Sequence, residues 1–424
     1  MRPAAGAVRD AAPRRFVFLD GLRGLAALYV VLHHAALLVP PAALPGPAAF
    51  ARFVLRHGHY AVPVFITLSG YSLMLGVRAT PGGRLSGGLT GYLGRRARRI
   101  LPPYYAALAF CWLLTAVSPS LGRPSATAWD RALPSFGPGV VVSHLVLVHN
   151  LDPAWIYRVA PPFWSLATEW QIYLVFPALL ALRRRLGMMT AVGVGFAVGS
   201  AVSLLSVPSG NLALRELCPW YLGLFALGMA GAEASGPAPP SAPWRARAAR
   251  RGWAAASAVL AVGLACVSAA WAGGGYLMFT DALTGALTTC LVVRCARVSS
   301  HGGTTPVLSL LESRAAVRLG SSSYSLYLTH YPLLALSHVW LRDLGLSPGA
   351  RLAVLLTAVT PACLLAAALF ARVFERVPSP RRTLGAKPHA VSRLKTRSIP
   401  RNGIPSGLRN SRSTREIGGP PGAR

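Results

Sequence analysis

The 424-residue sequence predicts an all-α protein: a polytopic transmembrane helical bundle of about ten membrane helices, with cytoplasmic N- and C-termini. Hydrophobic residues make up 53% of the chain, and charged residues make up only 13%. Apolar runs recur at close to the ~20 residues that are needed to cross the hydrocarbon core of a bilayer. Because backbone polar groups in lipid must be satisfied within each segment, these runs are expected to form helices.

Ten segments have the composition expected of membrane helices. They fall near residues 18–39, 60–78, 98–118, 163–182, 187–207, 212–233, 253–271, 276–296, 317–340 and 350–374. Lys and Arg indicate their direction, since positive residues favour the cytoplasmic side of a membrane. With the N-terminus inside, 34 Lys and Arg lie on the cytoplasmic side and 8 lie in outside loops. The longest outside loop, 119–162, contains an apolar stretch that can pack back onto the bundle.

Three regions follow from this pattern. Residues 1–15 form a basic N-terminus and residues 377–424 a basic tail rich in Ser, Pro and Gly, and both are expected to be disordered. Residues 16–376 form the transmembrane domain. A formal charge of +31 would suit a nucleic-acid-binding protein. The basic residues lie between apolar runs, however, as membrane topology requires, so no nucleic-acid partner is expected.

The first predicted membrane helix contains the stretch 19–35, LDGLRGLAALYVVLHHA, with Asp20, Arg23, His33 and His34. Ionisable residues inside a membrane are costly and often mark functional sites. At ~100° and ~1.5 Å per residue, Arg23 and His34 share one helix face, about 16 Å apart, and His33 lies about 80° away from that face. We therefore predict that Arg23 and His34 are two points along one channel, Arg23 near the cytoplasm and His34 in the outer half.

Glu169 and His330 are predicted to approach His34 in the outer half of the membrane. Glu169 lies in an otherwise apolar helix, and it and His34 are each predicted ~8–10 Å below the outer surface. A histidine that is oriented by a carboxylate can take the proton of a hydroxyl as the hydroxyl attacks a carbonyl. Direct acylation of His34 is a second route. The plainer alternative for an intramembrane histidine is an interhelical hydrogen bond.

Arg23, Arg96 and Arg99 are predicted to gather at the cytoplasmic mouth of the bundle. The planar fork of donors of arginine suits phosphate groups. Positive-inside anchoring explains the run GRRARRI equally well. A phosphate-bearing donor on the cytoplasmic side and a base nearer the outside would suit an acyl-CoA thioester, which has a charged head and a long thin arm. Neither a metal nor a permanently bound cofactor is expected.

Five motifs also resemble, in order, the acyltransferase 3 family of integral-membrane O-acyltransferases. They are LDGLRGLAALYVVLHH, VFITLSGYSLML, RRARRILPPYY, FWSLATEWQIYLVFP and SSSYSLYLTHYPLL. The resemblance covers about residues 16–376, and Arg23 and His34 meet the Arg-x10-His spacing of the family. It implies transfer of acyl groups, commonly acetyl from acetyl-CoA, to hydroxyls of surface polysaccharides, lipid-linked sugars, peptidoglycan or secondary metabolites.

The resemblance also implies roles for single residues. His34 would be the essential catalytic histidine, with Arg23 as its partner in a motif that includes Asp20. Glu169 matches the acidic position of a W-S-L-x-x-E pattern. That pattern begins here at Trp164 and Ser165, and Trp170 stands where a second Glu is often seen.

Three further elements match the family. Its R-x-x-R element fits Arg95 with Arg98 or Arg96 with Arg99, and we prefer the second pair because Arg99 directly precedes Ile-Leu-Pro. Ser69 and Tyr71 belong to an S-G-Y element whose plainer explanation is tight helix packing by small residues. Tyr327 and His330 lie in the last motif, where the role of the histidine is structural or substrate-facing.

The sequence therefore predicts a membrane O-acyltransferase in the bacterial plasma membrane. Its expected partners are acyl-CoA, most simply acetyl-CoA, and a hydroxyl of a carbohydrate or secondary metabolite, with His34 as general base. The alternative is a non-enzymatic multi-pass transporter with an intramembrane His, Glu and Arg pathway. The absence of a detectable internal repeat in the sequence counts against a transporter. The acceptor, the acyl chain and the oligomeric state are not specified by the sequence.

Overall fold

The computed structural model describes residues 16–375 apart from 41–43, 45, 125–127, 207–216, 237–251, 253–254, 265 and 267–276. The chain divides into two units, residues 1–376 and 377–424, and all described residues belong to the first. The two termini that are predicted to be disordered, 1–15 and 377–424, lie outside the described residues. Within the described part, all regular secondary structure is helical, as predicted.

The helices follow the predicted apolar runs, with several short additions. They are α1 (Val17–Leu37), α2 (Gly46–Leu55), α3 (Ala61–Arg78), α4 (Gly88–Val117), α5 (Pro138–Leu145), α6 (Phe163–Leu186), α7 (Met188–Ser206), α8 (Tyr221–Ala234), α9 (Ala255–Leu264), α10 (Leu277–Ser300), α11 (Pro306–Leu311), α12 (Arg314–Ser321), α13 (Ser323–Asp343), α14 (Pro348–Val354) and α15 (Thr360–Phe374). A π-helical turn, Leu355–Val359, joins α14 to α15. It precedes Pro361, which has no N–H to donate.

Six stretches of the described chain are long and apolar enough to cross a membrane. They are Gly46–Arg78, Gly88–Val117, Phe163–Leu186, Met188–Leu205, Leu277–Ser300 and Pro348–Phe374. Helices α8 and α9 are apolar but shorter. Helices α1 and α13 have 21 residues each, enough for a crossing, but they carry ionisable and hydroxyl side chains. The protein is thus a multi-pass helical membrane protein, and the count of ten spans and the cytoplasmic termini stay predictions.

Glycines bring α3 and α8 into backbone contact. A Cβ atom at Gly70 would collide with the carbonyl oxygen of Phe225, and one at Gly228 would collide with that of Thr67. Small residues allow helices in a membrane to approach this closely. Gly70 of the S-G-Y element therefore has a packing role, as the plainer interpretation of that element proposed.

Helix α1 is seated in the same manner against α11 and α12. A Cβ atom at Gly21 would meet the carbonyl oxygen of Leu311, and one at Gly24 would meet the amide nitrogen of Gly320. Both short helices begin at a hydroxyl side chain that accepts a hydrogen bond from their first turn. The two glycines that flank Arg23 therefore fix how deeply this arginine lies in the bundle.

The long loop 119–162 packs against α1 and α13. Its Trp129 is 2% exposed and belongs to a buried cluster with Leu38, which directly follows α1, and Leu334 of α13. The indole Nε1 donates a hydrogen bond to the carbonyl oxygen of Leu121 at 2.9 Å. This loop therefore covers the bundle near the end of α1 that carries His34.

Candidate active site

A cavity of about 110 Å³ lies between α1, α3, α4, α6 and α13. Seven of the residues predicted for the site line it: Arg23, Ser69, Arg96, Arg99, Ser165, Glu169 and Tyr327. They come from all five helices and from positions more than 300 residues apart in the chain. The remaining five predicted residues, Asp20, His34, Tyr71, Trp164 and His330, lie outside this lining.

Two side chains hold Arg23 in the cavity wall, the hydroxyl of Ser72 and the carboxylate of Asp20. Its Nη2 donates to Ser72 Oγ at 2.5 Å, and its Nη1 forms an ion pair with Asp20 Oδ1 at 3.4 Å. The carboxylate of Asp20 lies one helical turn before Arg23, so it holds the guanidinium from the same helix. Asp20 thus acts on the site through Arg23 without lining the cavity itself.

Arg96 and Arg99 face the cavity from α4, one turn apart. Arg95, Arg98 and Arg99 are all exposed, but Arg95 and Arg98 are not in the cavity lining, and Arg95 donates to the carbonyl oxygen of Ser86 at 2.6 Å. The structure therefore brings the preferred pair of the R-x-x-R element, and not the other pair, to the cavity. The Nε of Arg96 is buried and has no hydrogen-bond partner among the described residues. A buried unpaired donor is costly, so this group is suited to receive an anion.

Glu169 lies among the arginines. Its Oε1 accepts hydrogen bonds from Ser69 Oγ and from the hydroxyl of Tyr173, both at 2.5 Å. The prediction that Glu169 groups with His34 is not met, because the described contacts of its carboxylate are with α3 and its own helix. Three arginines against one carboxylate leave the cavity with an excess of positive charge.

His34 forms a pair with His330 of α13. Nδ1 of His34 lies 2.9 Å from Nε2 of His330, and the ring centroids are 5.1 Å apart. Nδ1 of His330 lies 2.8 Å from the carbonyl oxygen of Leu326. The ring of Tyr331 meets His34 edge to face at 4.9 Å. The neighbouring His33 instead places Nδ1 2.9 Å from a carbonyl oxygen of α2, so the two adjacent histidines have different partners, as the helical phase predicts.

Tyr327 contacts both the cavity and the histidine pair. It lines the cavity, and its ring centroid lies 6.0 Å from that of His330. The Tyr327 hydroxyl lies 2.5 Å from Ser165 Oγ. The predicted channel joins Arg23 to His34. The cavity in the structure includes Arg23 and Tyr327 in its lining but does not include His34.

Two other predicted residues pack away from the cavity. The hydroxyl of Tyr71 donates to Ser235 Oγ at 2.9 Å, and the side chain is 1% exposed. The ring of Trp164 lies 6.1 Å from that of Tyr221 in the main buried cluster. Both positions are near the site in sequence, and their described contacts are those of helix packing.

Sequence reasoning missed several residues that line the cavity. Ser72 and Tyr173 lie three and four residues after Ser69 and Glu169, so helical spacing was the signal that would have found them. Tyr324 lines the cavity too, and its hydroxyl donates to the carbonyl oxygen of Ile100 at 3.0 Å. Among the described residues, no group of three or more His, Cys, Asp or Glu could hold a metal ion.

Comparison with known families decides the family of this chain. The model of an acyltransferase domain, acyltransferase 3, matches residues 16–372. The chain belongs to the acyltransferase 3 family. Comparison with curated proteins and with solved structures found no match. Membership in the acyltransferase 3 family implies an acyltransferase activity, and the match covers every residue of the cavity and of the histidine pair.

Proposed function

We propose that this acyltransferase 3 protein is a membrane O-acyltransferase of the bacterial plasma membrane. It moves an acyl group, in the first instance acetyl from acetyl-CoA, to a hydroxyl of a carbohydrate or secondary-metabolite acceptor. The observation that carries the proposal is the positively charged cavity, in which Arg96 Nε has no hydrogen-bond partner among the described residues and Tyr327 also contacts a histidine pair. The family match supports group transfer over the transporter alternative.

The arginines are the proposed contacts for the phosphates of the donor. Arg23, Arg96 and Arg99 come from two helices and face one space, so they can surround a polyanion. Hydrogen bonds between guanidinium and phosphate are charge-assisted and are stronger than neutral ones. The small cavity of about 110 Å³ has room for one part of the donor and not for the whole molecule. The remainder of CoA would extend from its mouth.

His34 is the proposed general base. Its ring takes the proton of the acceptor hydroxyl while the hydroxyl oxygen attacks the carbonyl carbon of the thioester. The new C–O bond forms, the C–S bond breaks, and the departing thiolate takes the proton back from the imidazolium. General base catalysis of this kind contributes about 10²–10⁴-fold to a rate. The route through an acyl-histidine needs the same nitrogen as nucleophile.

Glu169 is proposed to organise the donor side. Its carboxylate holds the hydroxyls of Ser69 and Tyr173 and offsets part of the arginine charge before the donor binds. Without a carboxylate in the cavity, repulsion between the guanidinium groups would destabilise the protein more before the donor binds. In this role Glu169 acts on the donor, and His34 does not depend on it for orientation.

The test uses the full-length protein in lipid nanodiscs with radiolabelled acetyl-CoA and acceptors found by mass spectrometry. The acceptors come from a comparison of glycans and metabolites of cells with and without the gene. His34→Asn retains an amide at the position of Nδ1 and removes Nε2, and it should lower the transfer rate by about 10²–10⁴-fold while acetyl-CoA still binds. His33→Asn is the matched control, because its amide can still donate to the same main-chain carbonyl, and it should transfer normally. Equal transfer by both variants would exclude His34 as the base.

A further inference from the structure

A chain of hydrogen bonds links His34 to the main chain of α13. It runs from His34 Nδ1 to His330 Nε2 at 2.9 Å, and from His330 Nδ1 to the carbonyl oxygen of Leu326 at 2.8 Å. A carbonyl oxygen accepts hydrogen bonds and cannot donate them. The direction of every bond in this chain is therefore set at its main-chain end.

The position of each ring hydrogen can be deduced by starting from the carbonyl oxygen of Leu326. Nδ1 of His330 must carry the hydrogen that it donates to Leu326. A neutral imidazole carries one N–H, so Nε2 of His330 presents its lone pair. Nδ1 of His34 must then be the donor to that lone pair. Nε2 of neutral His34 is consequently left without a hydrogen, as a base requires.

The surroundings of His330 suit a neutral ring. The side chain is 0% exposed, and its described neighbours are His34, Leu326 and the rings of Tyr327 and Tyr331. No carboxylate is among these described contacts. An imidazolium at this position would be a buried charge without a counter-ion, which is costly.

We propose that His330 is a positioning residue that holds His34 in the tautomer with a free Nε2. The proposal rests on the function proposed above, in which that nitrogen takes the proton of the acceptor. In hydrolases with a Ser-His-Asp triad, a buried carboxylate has this orienting task. Here a neutral imidazole, itself fixed by a main-chain carbonyl, does so without placing a negative charge in the membrane.

Two substitutions of His330 separate its two hydrogen bonds. The amide of Gln reaches about as far as Nε2, so His330→Gln keeps an acceptor for His34 and loses the bond to Leu326. The amide of Asn lies near the position of Nδ1, so His330→Asn keeps the bond to Leu326 and loses the acceptor for His34. His338→Asn is the matched control, because His338 lies on the same helix, is 0% exposed and has no hydrogen-bond partner for either ring nitrogen among the described residues.

The first measurement is ¹⁵N NMR of the protein with labelled histidine, in nanodiscs at neutral pH. The His34 signals are assigned by their loss in His34→Asn. We expect Nδ1 protonated and Nε2 unprotonated in the native protein, in His330→Gln and in His338→Asn, and mixed tautomers in His330→Asn. A native protein with Nε2 of His34 protonated would overturn the proposal whether or not the protein transfers acyl groups.

The second measurement is the rate of acyl transfer. The wrong tautomer of a catalytic histidine costs up to about 10⁴-fold in kcat. We expect His330→Asn to lose at least about 10²-fold in kcat, with an unchanged KM for acetyl-CoA, and His330→Gln to be at least ten times faster than His330→Asn. Equal rates for Gln and Asn would show a merely structural role. If the native protein transfers no acyl group, the proposed function fails while NMR still decides the tautomer.

Discussion

The hydroxyls of Ser165 and Tyr327 lie 2.5 Å apart and join α6 to α13 at the wall of the cavity. The Tyr327 hydroxyl also donates to the carbonyl oxygen of Pro162 at 3.1 Å, and its ring lies 5.9 Å from that of Phe65. Tyr327 lines the cavity together with the arginines, and its ring lies 6.0 Å from that of His330. In the proposed reaction, the thioester carbonyl and His34 meet only if this wall admits the acyl group.

Tyr327→Phe tests that wall. Loss of the hydroxyl should lower the free energy of unfolding by about 1 kcal/mol. A looser wall also admits water, so the share of acetyl-CoA turnover that ends in hydrolysis should rise by roughly two-fold or more. Tyr104→Phe removes a buried hydroxyl that donates to the carbonyl oxygen of His144 at 2.8 Å, outside the cavity, and serves as control. Thermal unfolding and product ratios would be compared, and a similar rise in Tyr104→Phe would contradict the assignment.

The arginines that face the cavity should differ from their neighbours on α4. Arg96→Ala and Arg99→Ala should each weaken acetyl-CoA binding by about 10–100-fold, since a hydrogen bond to a charged group contributes about 1.5–3 kcal/mol. Arg23→Lys should also weaken binding, because Lys lacks the planar fork. Arg95→Ala and Arg98→Ala remove exposed charges and should change the Kd little. Calorimetric titration measures the Kd for acetyl-CoA of each variant. Equal losses of affinity at all four positions of α4 would indicate only a general charge effect.

Gly70 and Gly76 lie on the same helix and should respond oppositely to alanine. A Cβ at Gly70 collides with the backbone of Phe225, whereas no atom of the described residues lies within 4 Å of a Cβ at Gly76. Gly70→Ala should therefore destabilise the protein by about 1–3 kcal/mol or more. Gly76→Ala should be neutral or stabilise by up to about 1 kcal/mol, because Ala is the better helix former. Folded yield and thermal unfolding in detergent measure the stability of both variants. Comparable losses of stability at both positions would refute close packing at Gly70.

Two buried histidines in the loop 119–162 should make the protein less stable at acidic pH. His144 and His149 stack with ring centroids 4.0 Å apart, both 0% exposed. Burial lowers the pKa of His144 to about 4, and burial, with His144 next to it, lowers the pKa of His149 to about 3. Both lie below the unfolded value of about 6.5, so the unfolded chain binds protons first as the pH falls. The stabilisation is complete above pH ~6.5 and is lost progressively from there toward pH 4 for His144 and toward pH 3 for His149.

Thermal unfolding between pH 7.5 and 4.5 measures this loss. The double variant His144→Gln with His149→Gln should be less stable at pH 7.5, and its midpoint should depend less steeply on pH. A variant with the same slope as the native protein would show that other groups cause the acid dependence.

Much of the site could be predicted from helical geometry within single segments. The phase of the first helix separates His34 from His33, and the structure gives them different partners. The i, i+3 spacing puts Arg96 and Arg99 on one side of α4, although Arg95 and Arg98 share that spacing and only the Ile-Leu-Pro that follows Arg99 favoured the pair that lines the cavity. Such predictions depend on one helix at a time, and α-helix geometry is the same in any context.

Contacts between helices could not be predicted in the same way. His34 and His330 are far apart in sequence, and their pairing depends on how α1 and α13 cross. Depth alone grouped Glu169 with His34, whereas the rotation of α6 turns this carboxylate to Ser69. Asp281 lies near the end of a predicted segment, and the packing of α10 against α8 leaves it 3% exposed, with a hydrogen bond from Trp220 Nε1 at 2.9 Å.

The glycine contacts of α1 have a consequence for the design of new specificities. Gly21 and Gly24 pack closely against the backbone of α11 and α12, so a larger residue at either position would displace α1. The α carbons of Arg23 and His34 lie about 16 Å apart along the axis of this one helix. Because helix geometry sets the spacing between Arg23 and His34, a donor with a longer acyl chain cannot be accommodated by increasing that spacing. Engineering of chain-length preference has to begin with the side chains of α3 and α13 that face α1.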